Sequence, residues 1–216
     1  MLMRQIYLMI MMTTTSKKTI NVGIDYSMAA PAICVHIGSE WAIENCSFHY
    51  LTNRKKFENP PQNGVYKALE ASLTRSFDNP IQRYIHVKDW VLNTFKMHPI
   101  EDTKVWLEDY SYASTGRVFG IGENTGILKH ALLTEGYEYE TIPPTVVKKL
   151  STDKGNANKE LMEDTFVQEV GFSFKDLLEQ TDKQWNPSSD LVDAYYIAKV
   201  GFYDVDFIKK DVDATS

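Results

Sequence analysis

Three strand-like segments precede any helical pattern in this chain of 216 residues, and that order restricts the fold more than any single motif does. The alternation of apolar with small or polar residues marks them at 19–25, 32–37 and 46–51. Two further strand-like segments, at 103–109 and 137–142, alternate with helical segments at 65–75, 81–97, 116–133, 145–150 and 158–170. A last helix is predicted to begin at Ser188 or Ser189, either of which is a suitable N-cap.

This order predicts an α/β fold. Three consecutive antiparallel strands followed by strand–helix alternation favour a mixed five-stranded sheet, with three antiparallel strands, then parallel strands, and helices on both faces. Residues 19–205 are predicted to form one domain, with a loosely ordered leader over 1–18 and a tail over 206–216.

Four acids lie where the predicted elements begin or end. Asp25 ends the first strand, Glu108 ends the fourth, and the last helix opens on Asp190 and Asp193, which are three apart and share a face. The apolar run 194–200 indicates that this helix is buried, where like charges are costly unless something neutralises them. Taken alone, the pair also fits exposed acids at a helix N-terminus, which the helix dipole favours.

Asp109 is the alternative to Glu108 at the end of the fourth strand, because a shift of one residue swaps the faces of a strand. Glu108 is favoured because it shares a side with Trp106, while Val105 and Leu107 face the other way. If the first and fourth strands are parallel neighbours, the acids that end them project from the same edge of the sheet.

Carboxylates gathered at such an edge cannot all ionise without cations, and their oxygens suit Mg²⁺ or Mn²⁺. Two Mg²⁺ ions about 4 Å apart would satisfy the four acids, and Mn²⁺ can substitute. Such a centre hydrolyses phosphodiester bonds with an activated water molecule.

The composition excludes some classes of protein. A net charge of −6 argues against a non-specific nucleic-acid binder, which is usually basic, but not against a nuclease with a local basic face. The two cysteines, Cys34 and Cys46, have no zinc-binding spacing and are expected to be free thiols in a reducing compartment, the cytoplasm. Residues 1–18 contain no acid, which keeps a mitochondrial presequence as the alternative.

Several motifs together resemble those of the RuvC-type Holliday-junction resolvases, in the same order and contexts. They are Gly-Ile-Asp-Tyr-Ser at 23–27, Leu-Glu at 107–108, Ile-Pro-Pro-Thr-Val-Val-Lys-Lys at 142–149, Gly-Asn-Ala-Asn-Lys-Glu at 155–160 and Asp-Leu-Val-Asp-Ala at 190–194. The resemblance extends from about residue 20 to 203 and implies an RNase H-like fold.

The same resemblance implies roles for individual residues. Asp25, Glu108, Asp190 and Asp193 match the four metal-binding acids of the family, and Lys148 and Lys159 match lysines that face DNA. The helix that contains Gly122 and Gly126 resembles the helix that helps form the dimer interface, so a homodimer that cuts four-way junctions is implied.

Further DNA contacts are expected from residues near these motifs. Lys149 adds to the lysine cluster, although solvated charge is the usual fate of a lysine. Tyr110 and Arg117 lie in a segment, after Glu108, whose aromatic and small polar residues suit contact with a DNA strand.

Taken together, the sequence predicts a Mg²⁺-dependent endonuclease that resolves Holliday junctions or other branched DNA. The alternative is a nucleic-acid-binding protein of the same fold that is inactive or acts on another target.

Overall fold

The computed structural model describes residues 19–28, 30–61, 69–109, 118–181 and 183–203. Its centre is a six-stranded sheet in the order β4-β3-β2-β1-β5-β6. The strands are β1 (Ile20–Asp25), β2 (Ala32–Ile37), β3 (Cys46–Thr52), β4 (Leu69–Leu73), β5 (Thr103–Glu108) and β6 (Glu138–Ile142). Antiparallel pairing joins β1 to β2 and β2 to β3, whereas β1 and β5 are parallel neighbours. The predicted mixed α/β sheet is confirmed, and the parallel pairing of these two acid-bearing strands meets the condition for their acids to share one edge.

One predicted helix is wrong, and the sheet has one strand more than predicted. Where a short helix was expected over 65–75, residues 69–73 form β4, which pairs in parallel with β3 along the sheet edge. The two leucines that end this segment are four residues apart, a spacing that fits a helix as well as a strand. Pairing with β3 favours the strand over the helix, because strand preference depends on neighbouring strands more than on the residues themselves.

Helices cover both faces of the sheet, as predicted. The helices are α1 (Pro80–Phe95), α2 (Val118–Glu135), α3 (Pro144–Thr152), α4 (Lys159–Val170), α5 (Phe174–Leu177) and α6 (Ser188–Phe202). Local caps fix some of their ends: Asn79 and Asn158 accept N–H bonds at the starts of α1 and α4, and Gly171, with φ of 82°, ends α4. Short 3₁₀ turns occupy Ile43–Asn45, Lys55–Phe57 and Ile100–Asp102.

The sheet separates two apolar cores. On one face, Trp106 packs with α4, α5 and α6, and on the other, Val105 and Leu107 pack with α1 and α2. This division confirms the predicted alternation along β5. Cys34 and Cys46 are buried in the core and are not joined by a disulfide bond, also as predicted.

Helix α6 lies directly against β1. A methyl group built onto Gly23 would stand 2.2 Å from the backbone nitrogen of Ala198 and 2.5 Å from the carbonyl oxygen of Ala194. A methyl on Gly201 would stand 2.4 Å from the ring of Trp106. These two glycines let the helix backbone approach the sheet, and that approach brings its first turn to the end of β1.

Helix α6 begins at Ser188, as predicted, but the expected serine N-cap is not formed. Ser188 and Ser189 lie inside the first turn, and Pro187 takes the N-cap position without a capping side-chain hydrogen bond. The Ser188 hydroxyl instead donates to the carbonyl of Trp185, at 2.8 Å. The turn is thus tied to the segment before it rather than capped by its own serine.

Parts of the prediction fall outside the described residues, among them the leader over 1–18 and the tail over 206–216. Within the described residues, no helix combines the length and apolar character that a bilayer crossing requires.

Candidate metal centre

Two parallel strands and one helix bring the four predicted acids together. Asp25 and Glu108 are the last residues of β1 and β5, whose pairing sets Ile24 opposite Leu107, so both carboxyls lie at the same sheet edge. Asp190 and Asp193 come from the first turns of α6, which crosses β1. Asp190 is buried, and the other three acids are half-buried. We call these four residues the acid cluster.

Asp25 is at the electrostatic centre of the acid cluster. Burial raises its pKa well above the usual range of an aspartate. The negative charges of Asp190, Asp193 and Glu108 raise that pKa further. The charge of Lys159 lowers it. All three neighbouring acids are therefore close enough to Asp25 to oppose its ionisation.

The other members of the acid cluster respond in the same way. Burial raises the pKa of Glu108 to about 7, that of Asp190 to about 7 and that of Asp193 to about 6. The charge of Asp193 raises the pKa of both Glu108 and Asp190. At neutral pH the acid cluster therefore holds protons that a bound cation would displace.

The coupling with Asp193 also distinguishes Glu108 from its neighbour. Glu108 interacts with Asp193 across the sheet edge. Asp109 follows the strand, and its backbone N–H donates to the carbonyl of Ile142, at 2.9 Å. The geometry thus favours Glu108, as the alternation of side chains along the strand indicated.

Asn186 and Ser189 hold the Asp190 carboxylate and were not identified from the sequence. The side-chain amide of Asn186 donates to both carboxylate oxygens, at 2.9 and 2.6 Å, and Ser189 Oγ lies 3.4 Å from one of them. The Asn-Pro pair just before the acidic helix start is the one sequence signal for this role, since asparagine often bonds to residues close in sequence.

Glu163 is another acid that the sequence reading missed. It is buried in α4 and accepts a 2.8 Å hydrogen bond from the hydroxyl of Ser173. Its charge raises the pKa of Asp193. In the sequence it looks like one of several acids on an amphipathic helix, so its burial could not be read from spacing.

Of the predicted DNA-facing lysines, two reach the acid cluster. Lys159, at the start of α4, has its Nζ 3.0 Å from the hydroxyl of Ser189, and its charge lowers the pKa of three of the acids. Lys148, on α3, lowers the pKa of Glu108 and Asp193. Lys149 is exposed on the same helix, and Tyr110 and Arg117 lie outside the described residues.

The donor chemistry of the acid cluster suits hard divalent cations, because carboxylate oxygens are what Mg²⁺ and Mn²⁺ prefer. The carboxyl groups of the acid cluster are not spaced as ligands around one ion. Among the residues that the structure describes, no three histidine, cysteine, aspartate or glutamate side chains are placed to coordinate a single ion. Asn186 holds both oxygens of Asp190 by hydrogen bonds.

Without divalent cations, the protein is expected to become less stable as the pH rises from about 5.5 to about 8. The acid cluster binds protons more tightly in the folded chain, where pKa values are about 6 to 7, than in the unfolded chain, where they are about 4. Stability is therefore lost as these carboxyls ionise. Melting temperatures measured in EDTA at several pH values test this.

Two controls accompany that measurement. Glu108→Gln should flatten the decline, because it removes one of the titrating carboxyls, and millimolar Mg²⁺ should restore stability to the parent at the higher pH. A parent that melts at a higher temperature at pH 8 than at pH 5.5 in EDTA would contradict the electrostatic description of the acid cluster.

Comparison with known proteins rests on structure. No family model matches the sequence, and no curated protein does. The structure of Thermus thermophilus RuvC aligns over 85% of this chain and 94% of its own, with a TM-score of 0.51 and 19% identity. T. thermophilus RuvC in complex with a Holliday junction substrate aligns over 89% of this chain and 96% of its own, with a TM-score of 0.52 and 16% identity. The chain therefore has the RNase H-like fold of the RuvC structures.

Proposed function

We propose that this protein is a metal-dependent endonuclease that cuts branched DNA, with the four-way junction as its main substrate. One observation carries the proposal: four carboxyls from two strand ends and one helix lie together at a single edge of the sheet, where burial raises the pKa of each. Acids are rarely buried together without a functional reason, because each opposes the ionisation of the others.

In this proposal, the acid cluster would bind cations and the nearby lysines would bind DNA. Mg²⁺ bound by the acid cluster would supply an activated water molecule and neutralise charge on the leaving oxygen. Asn186 and Ser189 orient the Asp190 carboxylate by hydrogen bonds. Lys148 and Lys159 would contact DNA phosphates near the scissile bond, and their interaction with the acids supports this role.

The junction preference is supported by the likeness to T. thermophilus RuvC, of which one structure holds a Holliday junction substrate. A direct test uses labelled four-way junction, flap and linear duplex, each with and without Mg²⁺. We expect Mg²⁺-dependent cutting of the junction at a rate well above that of the duplex. Equal rates on junction and duplex would refute junction selectivity, and binding without any cleavage would favour the alternative, an inactive or differently targeted DNA-binding protein.

A homodimer built on α2 belongs to the same proposal. Methyl groups added to Gly122 and Gly126 would meet no atom of the described residues within 4 Å apart from their own stretch of helix, and Phe119, at the start of the same helix, is 89% exposed. A helix with small residues and an exposed aromatic side chain suits close packing against a second copy.

Gly126→Leu is therefore expected to convert the dimer to a folded monomer. The bulky side chain would prevent close approach of the two copies without a clash inside one chain. Sedimentation velocity measures the change, and Lys96→Leu, which adds an exposed leucine on α1, serves as the control. A Gly126→Leu protein that sediments as the parent does would place the interface elsewhere.

The two lysines offer a second comparison. Lys159→Ala is expected to lower the cleavage rate about 10- to 100-fold and to move the pH profile upward, because the pKa values that Lys159 depresses would rise. Lys149→Ala, an exposed residue, should change the rate less than threefold at moderate salt. Equal losses in the two variants, with no shift in the pH profile, would show that Lys159 contributes only general charge.

A further inference from the structure

A groove of about 370 Å³ opens beside the acid cluster. Four parts of the chain form its walls: Ala30 just before β2, the segment that leaves β3, the start of α4, and residues 183–187 before α6. The segment that leaves β3 has no counterpart among the motifs that resemble the resolvase family, and residues 183–185 have none either. The groove is therefore a feature of this chain that the proposed function has not used.

The charge of the groove is opposite to that of the whole protein. Arg54, Lys159 and Lys183 line it, and none of the described residues of its lining is acidic. The chain carries a net charge of −6, so three cations without an acid form a marked local reversal. Such a surface attracts a polyanion, and phosphate groups are the ligands that clustered arginine and lysine bind best.

The groove adjoins the acid cluster, because two of its lining residues interact with the acids. Lys159 lines the groove and lowers the pKa of Asp25 and Asp193. Asn186 lines it and donates to both carboxylate oxygens of Asp190, at 2.9 and 2.6 Å. A strand lying in the groove would therefore lie next to residues that contact the acids.

Trp185 gives the groove an aromatic wall. Its ring is half-buried, and Lys175 Nζ lies 5.0 Å from the ring centroid. The Trp185 carbonyl accepts hydrogen bonds from the hydroxyl of Ser188 and the N–H of Ser189, each at 2.8 Å. The backbone of Trp185 is thus fixed, and its indole, which lines the groove, is the side chain on which a base could stack.

The two long walls are also tied to each other. Lys56 Nζ donates to Gln184 Oε1 at 3.3 Å, which connects the segment after β3 to the segment before α6. The side-chain amide of Gln180 donates to the carbonyls of Gln184 and Asn186, at 3.3 and 3.0 Å. The groove therefore exists before any ligand arrives, and little ordering is needed on binding.

We infer that this groove binds an unpaired stretch of the DNA strand that is cut, with phosphates on Arg54 and Lys183 and a base stacked on Trp185. The volume suits roughly one or two nucleotides of a single strand and is too small for a duplex. This inference rests on the proposed function and extends it: the substrate is unpaired beside the scissile phosphodiester.

Binding is measured in an Asp25→Asn background, so that no strand is cut, with a four-way junction and with a dT oligonucleotide as probes. Arg54→Ala/Lys183→Ala should weaken binding to both at least tenfold and reduce the salt dependence of log Kd by about 1.4, or 0.7 for each lost phosphate contact. Lys88→Ala/Lys96→Ala, which removes the same charge from α1, should leave the salt dependence within about 0.3. Equal salt dependence in the two double variants would overturn the inference.

Trp185 supplies a separate readout. Trp185→Ala should lower oligonucleotide affinity about tenfold, whereas Trp185→Phe should keep it and lose most of the DNA-dependent quenching of tryptophan fluorescence. Unchanged quenching in Trp185→Phe would overturn the stacking contact.

These results separate the groove from the nuclease. If the parent protein cuts no substrate but the groove variants lose DNA binding, the proposed nuclease function is refuted and DNA binding by the groove is supported. If the parent protein cuts junctions and the groove variants bind DNA as tightly as the parent, DNA binding by the groove is refuted and the nuclease function is supported.

Discussion

Replacing Asp25 with asparagine is expected to lower the rate of junction cleavage at least about 1000-fold while junction affinity changes less than threefold. Asparagine has nearly the same shape but no charge, and Asp25 is the acid that interacts with all three others. Loss of its charge would weaken cation binding and so remove several kcal/mol of transition-state stabilisation, and about 4 kcal/mol corresponds to this factor. Single-turnover cleavage in Mg²⁺ and anisotropy in Ca²⁺ measure the two quantities.

Asp109→Asn is the matched control for the Asp25 variant. It makes the same chemical change next to Glu108, one residue beyond the strand end, and should leave the rate within about threefold. An Asp25→Asn protein that cuts as the parent does would contradict the assignment of catalysis to the acid cluster. A loss in Asp109→Asn as large as in Asp25→Asn would show that the register at the end of β5 is different.

Gly23→Ala is expected to destabilise the protein by about 3 kcal/mol or more and to reduce activity even in the fraction that remains folded. The added methyl would stand 2.2 Å from the nitrogen of Ala198 and 2.5 Å from the oxygen of Ala194, which are backbone atoms that no rotamer change can move. Helix α6 would have to lift from β1, and Asp190 and Asp193 would move away from Asp25 with it. Urea unfolding and single-turnover cleavage test the two effects.

Gly126→Ala makes the same substitution where it should be harmless to the fold. An added methyl there would meet none of the described residues within 4 Å apart from its own stretch of helix, and alanine favours a helix over glycine by about 1 kcal/mol. We expect its stability in urea to equal or exceed that of the parent. Similar losses in both glycine variants would contradict the close approach of α6 to β1.

Much of the fold could be predicted because its signals are local. Strands β1, β2, β3, β5 and β6 each alternate in the sequence, and parallel pairing of β1 with β5 follows from the ordinary rules of α/β sheets. The same rules put Asp25 and Glu108 at one edge. Strand β4 was missed because its residues acquire their preference only when β3 is beside them.

The four acids of the cluster could be predicted from the sequence, but the residues that support them could not. Acids at strand ends and helix starts are visible in the sequence, whereas Asn186 and Glu163 owe their roles to neighbours that are distant or buried. The three basic residues of the groove come from segments far apart along the chain. The sequence spacing of Arg54 and Lys183 therefore does not indicate that they share a surface. A basic patch whose residues are far apart in the sequence can be identified only from the structure.

The central claim is that the acid cluster holds divalent cations, and crystals grown with Mn²⁺ test it most directly through anomalous diffraction. The account predicts at least one anomalous peak within about 2.3 Å of a carboxylate oxygen of Asp25 and of an oxygen from Glu108, Asp190 or Asp193. It also predicts that Asp190 turns at least one oxygen away from Asn186. Crystals saturated with Mn²⁺ that show no peak at the acid cluster, or peaks only elsewhere, would contradict it.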